Sequence, residues 1–383
     1  MQDAPRIAMV AGETSGDLLA GLLLDGLHAQ WPAVSAQGIG GPQMERRGFQ
    51  SLWPSERLAV HGYSVELVRR LWGIVRIRRQ LRSRLLAERP DLFIGVDAPD
   101  FNLGLEADLR GAGIRTVHFV CPSIWAWRAE RVHKIRRSAD HVLCIFPFEP
   151  ELLARHGIEA TYVGHPLAQV IPMEPDRLAA RAQLGLGADD EVLAILPGSR
   201  SAEVAYIARP FFQAAALLRQ ARPGLKMVVP AVPALRERIE QLATECGVRD
   251  ALQITAGQSH TVLAACDCTL IASGTATLEA ALFKRPMVIA YHMHPISWRL
   301  MRRKQLQPWV GLPNILCGDF VVPELLQDAA TPQALATAVL QWLDAPAGQR
   351  DALARRFTAL HEELRRDTPR LAADAIQKIL AAR

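Results

Sequence analysis

Short apolar runs alternate with longer stretches of helical period along almost the whole of the 383-residue chain. In the first half the runs span residues 6–11, 34–38, 92–96, 116–120, 142–146 and 161–163. In the second half they span 192–196, 226–230, 252–255, 268–272 and 287–290. A strand followed by a helix rejoins its sheet in parallel, because the helix carries the chain back over one face. The alternation therefore predicts an α/β protein with parallel sheets covered by helices. At this length one core is not enough, so two Rossmann-like, doubly wound domains facing a cleft are expected, with ligands at the carboxyl ends of the strands. The stretch from Gly164 through Pro175 is the best linker, with Pro166, Pro172 and Pro175 close together. It separates a first domain, residues 1–165, from a second, 173–345. Residues 346–383 are helical in pattern and are expected to pack back on the first domain.

Composition narrows the class. Half the residues are hydrophobic and 22% are charged, as in globular proteins. No apolar run approaches the roughly 20 residues that a membrane-spanning helix needs. The first five residues lead straight into a strand, leaving no room for a secretory signal. The six cysteines are scattered without a Cys-x-x-Cys pair, which favours buried thiols in a reducing cytoplasm over zinc or disulfides. A net charge of +5 is compatible with nucleic acid, anionic lipid or phosphorylated substrates and does not choose among them.

Three loops carry the chemistry. In "VAGETSGD" a strand ends at Gly12 and a helix begins near Gly16, with Glu13, Ser15 and Asp17 between and beside them. Backbone N–H groups beside two carboxylates suit a sugar hydroxyl better than a pyrophosphate, and a self-capped tight turn is the plainer alternative. "LPGSRSAEV" has the opposite character. Gly198 lets the backbone approach a ligand, Ser199 and Ser201 offer donors, and Arg200 adds a full positive charge at a helix N-terminus. In "SGTATLEA", Ser273, Gly274 and Thr275 again suit phosphate, while Glu279 lies four residues beyond Thr275 on the same side of the helix. Glu279 can accept both hydroxyls of a ribose or simply complement the helix dipole.

"SGTATLEA" followed by "KRPMVI" resembles the UDP-sugar-binding half of GT-B glycosyltransferases. With "VAGETSGD", "GVDAPDFN", "SIWAWRAERVHKI", "GHPLA", "LPGSRSAEV" and "LPNILCG", the chain resembles the lipid-A-disaccharide synthase family. The resemblance implies an inverting transfer of 2,3-diacylglucosamine from UDP to the 6-hydroxyl of 2,3-diacylglucosamine 1-phosphate, with no cofactor and no nucleic-acid partner. It implies Asp97 as general base, with capping of the turn at Pro99 and Asp100 as the alternative, and Arg200 as the charge that meets departing UDP. Gly198, Ser199, Ser273, Gly274, Thr275, Glu279 and Asn314 would complete the UDP site. Glu13, Ser15, Gly16, Asp17 and Asp100 would line the acceptor side. No Asp-x-Asp occurs in the chain, so no metal is expected on the pyrophosphate. Members of the family can exchange their C-terminal regions between the two subunits of a homodimer, an arrangement that would set Asn314 in the partner's site.

Residues 65–89 hold eight arginines against two glutamates. They read as a helix whose apolar positions, Val68, Trp72 and Val75 among them, lie beside Arg69 and Arg76. A basic amphipathic helix suits an anionic bilayer, here the inner face of a bacterial inner membrane, although a solvated basic face gives the same composition. Trp125 and Trp127, two apart, are expected to share a face as core or as a sugar platform. The scattered histidines, His118 and His165 among them, read as packed residues. A UDP-sugar 2-epimerase of related fold and a non-catalytic lipid- or RNA-binding protein are the rival functions.

Overall fold

The computed structural model describes residues 4–12, 14–54 and 65–382. It divides into two units, Met1–Gln169 with Glu363–Arg383, and Val170–Glu362.

In the first unit seven strands, β1 (Arg6–Ala11), β2 (Ser35–Gly40), β3 (Gln50–Pro54), β4 (Leu92–Val96), β5 (Arg115–Phe119), β6 (His141–Cys144) and β7 (Ala160–Tyr162), form one parallel sheet. Their order is β3-β2-β1-β4-β5-β6-β7. All five residues of β4 are buried, as a strand covered on both faces requires. On one face Ile77, Leu81 and Leu85 of the helix Val65–Glu88 meet Phe101, Leu105 and Leu109 of the helix Pro99–Gly111. Another helix, Thr14–Gln30, packs against Thr368–Ala381, the last helix of the chain. The two approach so closely that a Cβ on Gly26 would collide with the Pro369 carbonyl.

The second unit has six parallel strands in the order β10-β9-β8-β11-β12-β13. They are β8 (Val192–Leu196), β9 (Lys226–Ala231), β10 (Leu252–Ala256), β11 (Cys268–Ala272), β12 (Met287–Tyr291) and β13 (Glu324–Leu326). Buried Arg181 ties a covering helix to the foot of this sheet. It reaches Asp267 at 2.9 Å, and Asp267 in turn accepts from the Val192 amide at 2.8 Å.

Two differences from the sequence reading have clear causes. β3 and β13 are edge strands, one ending in proline and the other three residues long, so neither shows an apolar run. The C-terminal segment does not return as a block. The helix Ala347–Leu364 stays with the second unit up to Glu362, where Arg356 pairs with Asp319 at 2.8 Å and Lys284 meets His361 at 2.7 Å. Of this segment, residues 363–383 belong to the first unit.

Candidate functional site

In the first sheet the strand order reverses between β1 and β4, with Ala11 paired to Val96. The loops that leave these two strands must diverge to opposite faces, and the crevice between them is where doubly wound sheets hold ligands. Asp97 stands there as the first residue after β4. Its amide continues the sheet by donating to Phe119 O at 2.8 Å. Asp97 and Ala98 both adopt left-handed backbone, at φ 51° and 43°, a conformation costing roughly 1–2 kcal/mol per residue without glycine. Asn102 holds the turn: its Nδ2 donates to Asp97 O at 2.8 Å and lies 3.3 and 3.4 Å from the Val96 and Val10 carbonyls. The half-buried Asp97 carboxylate makes no hydrogen bond or ion pair among the described residues. The helix Pro99–Gly111 begins without a side-chain cap, so capping is not what Asp97 does.

The other acceptor-side expectations divide. Glu13 lies outside the described residues. Ser15 is exposed on the first turn of its helix, and Gly16 is buried against Ala11 and the Val96 carbonyl. Asp17 is a correction: it is 3% exposed and caps the short helix Pro42–Glu45 by accepting from the amides of Gly41 and Gln43 at 2.9 Å and Met44 at 3.2 Å. Buried and committed to three amides, this carboxylate is employed in closing its own unit. The exposed Asp100 pairs with Arg131 at 2.8 Å.

The second sheet reverses between β8 and β11, where Leu196 is paired to Ile271. Both loops expected to hold anions open from this point. Gly198 has φ +108°, and a Cβ there would lie 2.6 Å from Glu203, so only glycine fits. Ser199 and Arg200 are exposed, the Arg200 side chain at 73%. Glu203 accepts from the amides of both, at 2.9 and 3.2 Å, and its other oxygen is 3.4 Å from the Arg200 guanidinium. Half-buried Ser273 donates to Val310 O at 3.5 Å, and Gly274 and Thr275 are exposed where the helix Thr275–Leu282 begins. Glu279 faces His260 Nε2 at 3.2 Å, and the imidazole lies edge-on to Phe283.

Asn314 is the second correction. It is fully buried, its Nδ2 donating to Val322 O and Glu324 Oε1 at 2.9 and 2.8 Å and its Oδ1 accepting from the amides of Val321 and Val322. Glu324 also accepts from the Val310 and Gly311 amides, so the Leu-Pro-Asn motif closes a loop of its own unit. Sequence reasoning missed Glu203, His260 and Glu324. Glu203 alone carried a signal, the three-residue spacing of a capping box after Arg200.

Trp125 and Trp127 do not share a face. Trp125 is buried edge-on to Phe146 and Phe148 and donates to Glu149 at 3.0 Å, while Trp127 is exposed beneath the Arg128 guanidinium. On the basic helix, Trp72 is 69% exposed, and Val75 and Arg76 are exposed too. The side chains of Val68 and Arg69 lie outside the described residues. Among the described residues no helix is long and apolar enough to cross a membrane, and no three His, Cys, Asp or Glu side chains gather as a metal site.

Two doubly wound units, each with its loops at a switch point, make up the GT-B architecture of nucleotide-sugar enzymes. MurG of Acinetobacter baumannii superposes with a TM-score of 0.59 at 14% identity, over 98% of this chain and 99% of that one. A UDP-GlcNAc 2-epimerase of Neisseria meningitidis, bound to UDP-GlcNAc, superposes at 0.63 and 11% identity over 99% of each chain. Likeness at that identity speaks to the fold alone. The sequence goes further. A family model described as lipid-A-disaccharide synthetase matches residues 7–376. A lipid-A-disaccharide synthase of Verminephrobacter eiseniae is 73% identical over 384 residues, covering 100% of this chain and 99% of that protein. The chain belongs to the lipid-A-disaccharide synthase family.

Proposed function

We propose that the chain transfers 2,3-diacylglucosamine from UDP to the 6-hydroxyl of 2,3-diacylglucosamine 1-phosphate, releasing UDP and the β-1,6-linked disaccharide 1-phosphate. Family membership makes it a glycosyltransferase that joins two diacylglucosamine units. The two units of the chain divide the work. In the first, Asp97 takes the proton of the acceptor hydroxyl while that oxygen bonds to the anomeric carbon. The bond from this carbon to the diphosphate oxygen breaks, and its electron pair leaves on UDP. Attack opposite the leaving group inverts the anomeric centre. In the second unit, Arg200, the amides at 198–200 and the N-terminus of the helix Thr275–Leu282 meet the charge on the diphosphate.

The observation that carries this reading is Asp97, a carboxylate without a partner among the described residues, on a strained turn at the β1/β4 switch point. The enzyme works at an anionic membrane surface, where Val68, Arg69, Trp72, Val75 and Arg76 keep it beside substrates whose acyl chains stay in lipid.

Mass spectrometry of products formed from both substrates in mixed micelles tests the reading. Asp97→Asn is expected to lower disaccharide formation by about 100-fold or more and to leave UDP binding intact. Full turnover by that variant, or consumption of the UDP-sugar without acceptor as an epimerase would do, overturns it.

A further inference from the structure

Beneath the Asp97 turn lies a buried polar set for which the transfer chemistry has no use. Glu106 and His118 are both fully buried, and His118 Nδ1 stands 2.7 Å from Glu106 Oε1. His118 belongs to β5 and is paired with Gly95 of β4, two residues before Asp97. Gly95 makes room for the set. A Cβ there would collide with Glu106 Oε1 and lie 2.8 Å from Asn102 Cβ. Asn102 sits one helical turn before Glu106 on the helix Pro99–Gly111, so the two side chains share a face of it. A single turn of helix thus sets two buried polar groups over a strand end reduced to glycine. One of them grips the backbone of Asp97, and the other is anchored on the imidazole of the next strand.

Burying a carboxylate and an imidazole is expensive, and apolar side chains of similar volume would fill the same space at least as stably. Burial raises the pKa of Glu106 against the opposing pull of His118 and Lys134. Asn102 Oδ1, Glu106 Oε2 and His118 Nε2 have no hydrogen-bond partner among the described residues. A set that stabilises so little, placed where it touches the turn, calls for a geometric role. The turn needs one. Two adjacent left-handed residues relax readily to ordinary backbone, and relaxation would swing the Asp97 carboxylate off the crevice.

We infer that Asn102 and Glu106, braced by His118, are positioning residues that hold Asp97 where it can take the acceptor proton. The inference rests on the reading of Asp97 as base. Catalytic groups tolerate little misplacement: about 1 Å can cost on the order of 100-fold in rate.

The test uses the full chain in mixed micelles, with Asn102→Ala and Glu106→Gln made alone and in an Asp97→Asn background. Turnover, donor KM, UDP affinity by calorimetry and thermal unfolding are read on each. In the parent background each substitution is expected to lower kcat by about 10- to 100-fold, with donor KM and UDP affinity within about twofold. In the Asp97→Asn background the same substitutions are expected to leave residual turnover unchanged, because the group they position is gone. Parental kcat in the folded single variants, or losses that multiply on top of Asp97→Asn, overturn the inference and leave Asp97 as base untouched. Should Asn102→Ala not fold, the near-isosteric Glu106→Gln carries the test alone. Full turnover by Asp97→Asn itself instead removes the reading underneath.

Discussion

Glu203 occupies the donors of its own anion loop: its carboxylate accepts from the amide of Arg200 at 3.2 Å and faces that residue's guanidinium at 3.4 Å. In the proposed function these donors meet the diphosphate, and nucleotide and carboxylate would then compete for them. Glu203→Gln, which removes the charge and keeps the shape, is expected to tighten UDP binding about 3- to 10-fold, the worth of one charge-assisted hydrogen bond. Isothermal titration at fixed ionic strength measures it. Weaker binding would make Glu203 an organiser of the loop and not a competitor.

Glu279 and His260 make a second prediction. The Glu279 carboxylate lies 3.2 Å from the His260 imidazole, and in the proposed function it would accept the two ribose hydroxyls. Glu279→Ala is expected to weaken UDP binding by roughly 10-fold or more, and to leave 2′,3′-dideoxy-UDP almost unaffected. His260→Ala should follow in the same direction with a smaller loss. Equal losses for both nucleotides would place Glu279 away from the ribose.

The aromatic cluster of the first unit has an opposed pair of titrations. Burial pushes Glu149 up to about 7, against hydrogen bonds from the Phe146 amide, Trp125 and the Ile145 amide. Burial holds His165 down at about 4, and its Nδ1 accepts from the Leu167 amide. A carboxyl that is raised in the fold contributes stability at low pH, lost as pH rises from its unfolded value toward 7. An imidazole that is lowered contributes stability at high pH, lost as pH falls from about 6.5 toward 4. Between about 4.5 and 6.5 the two slopes cancel, each near 1.4 kcal/mol per pH unit. Urea unfolding across this window should therefore show Glu149→Gln losing stability on acidification and His165→Gln gaining it. Parallel curves for both variants would rule the pairing out.

Membrane contact gives the fourth prediction. Trp72 and Val75 stand exposed on a helix rich in arginine. Trp72→Glu with Val75→Glu is expected to release the protein from vesicles containing anionic lipid, with UDP affinity kept. Flotation at two salt concentrations reads both the apolar and the electrostatic parts. Unchanged flotation would assign the helix face to solvent.

Apolar runs make the interior strands legible: 6–11, 92–96, 192–196 and 268–272 begin and end where the sequence places them. The switch-point loops are legible too, because a strand that stops at glycine and serine before a helix leaves few other geometries. What stays hidden is the employment of individual polar groups. Asp17 and Asn314 both sit in motif positions, yet the amides they cap are 24 to 27 residues away for Asp17 and 7 to 8 for Asn314. Local spacing cannot register such partners. The same holds for Trp125 and Trp127, where an irregular turn breaks the two-residue period that would have put them side by side.

The contact between Gly26 and Pro369 has a consequence for synthesis. Residues 363–382 leave the ribosome after every strand of both sheets, and until then the nascent first unit lacks the cover for the face of the helix Thr14–Gln30 that the last helix meets. Translation of the entire second unit intervenes before that helix meets its cover, which makes the early domain the last to be finished.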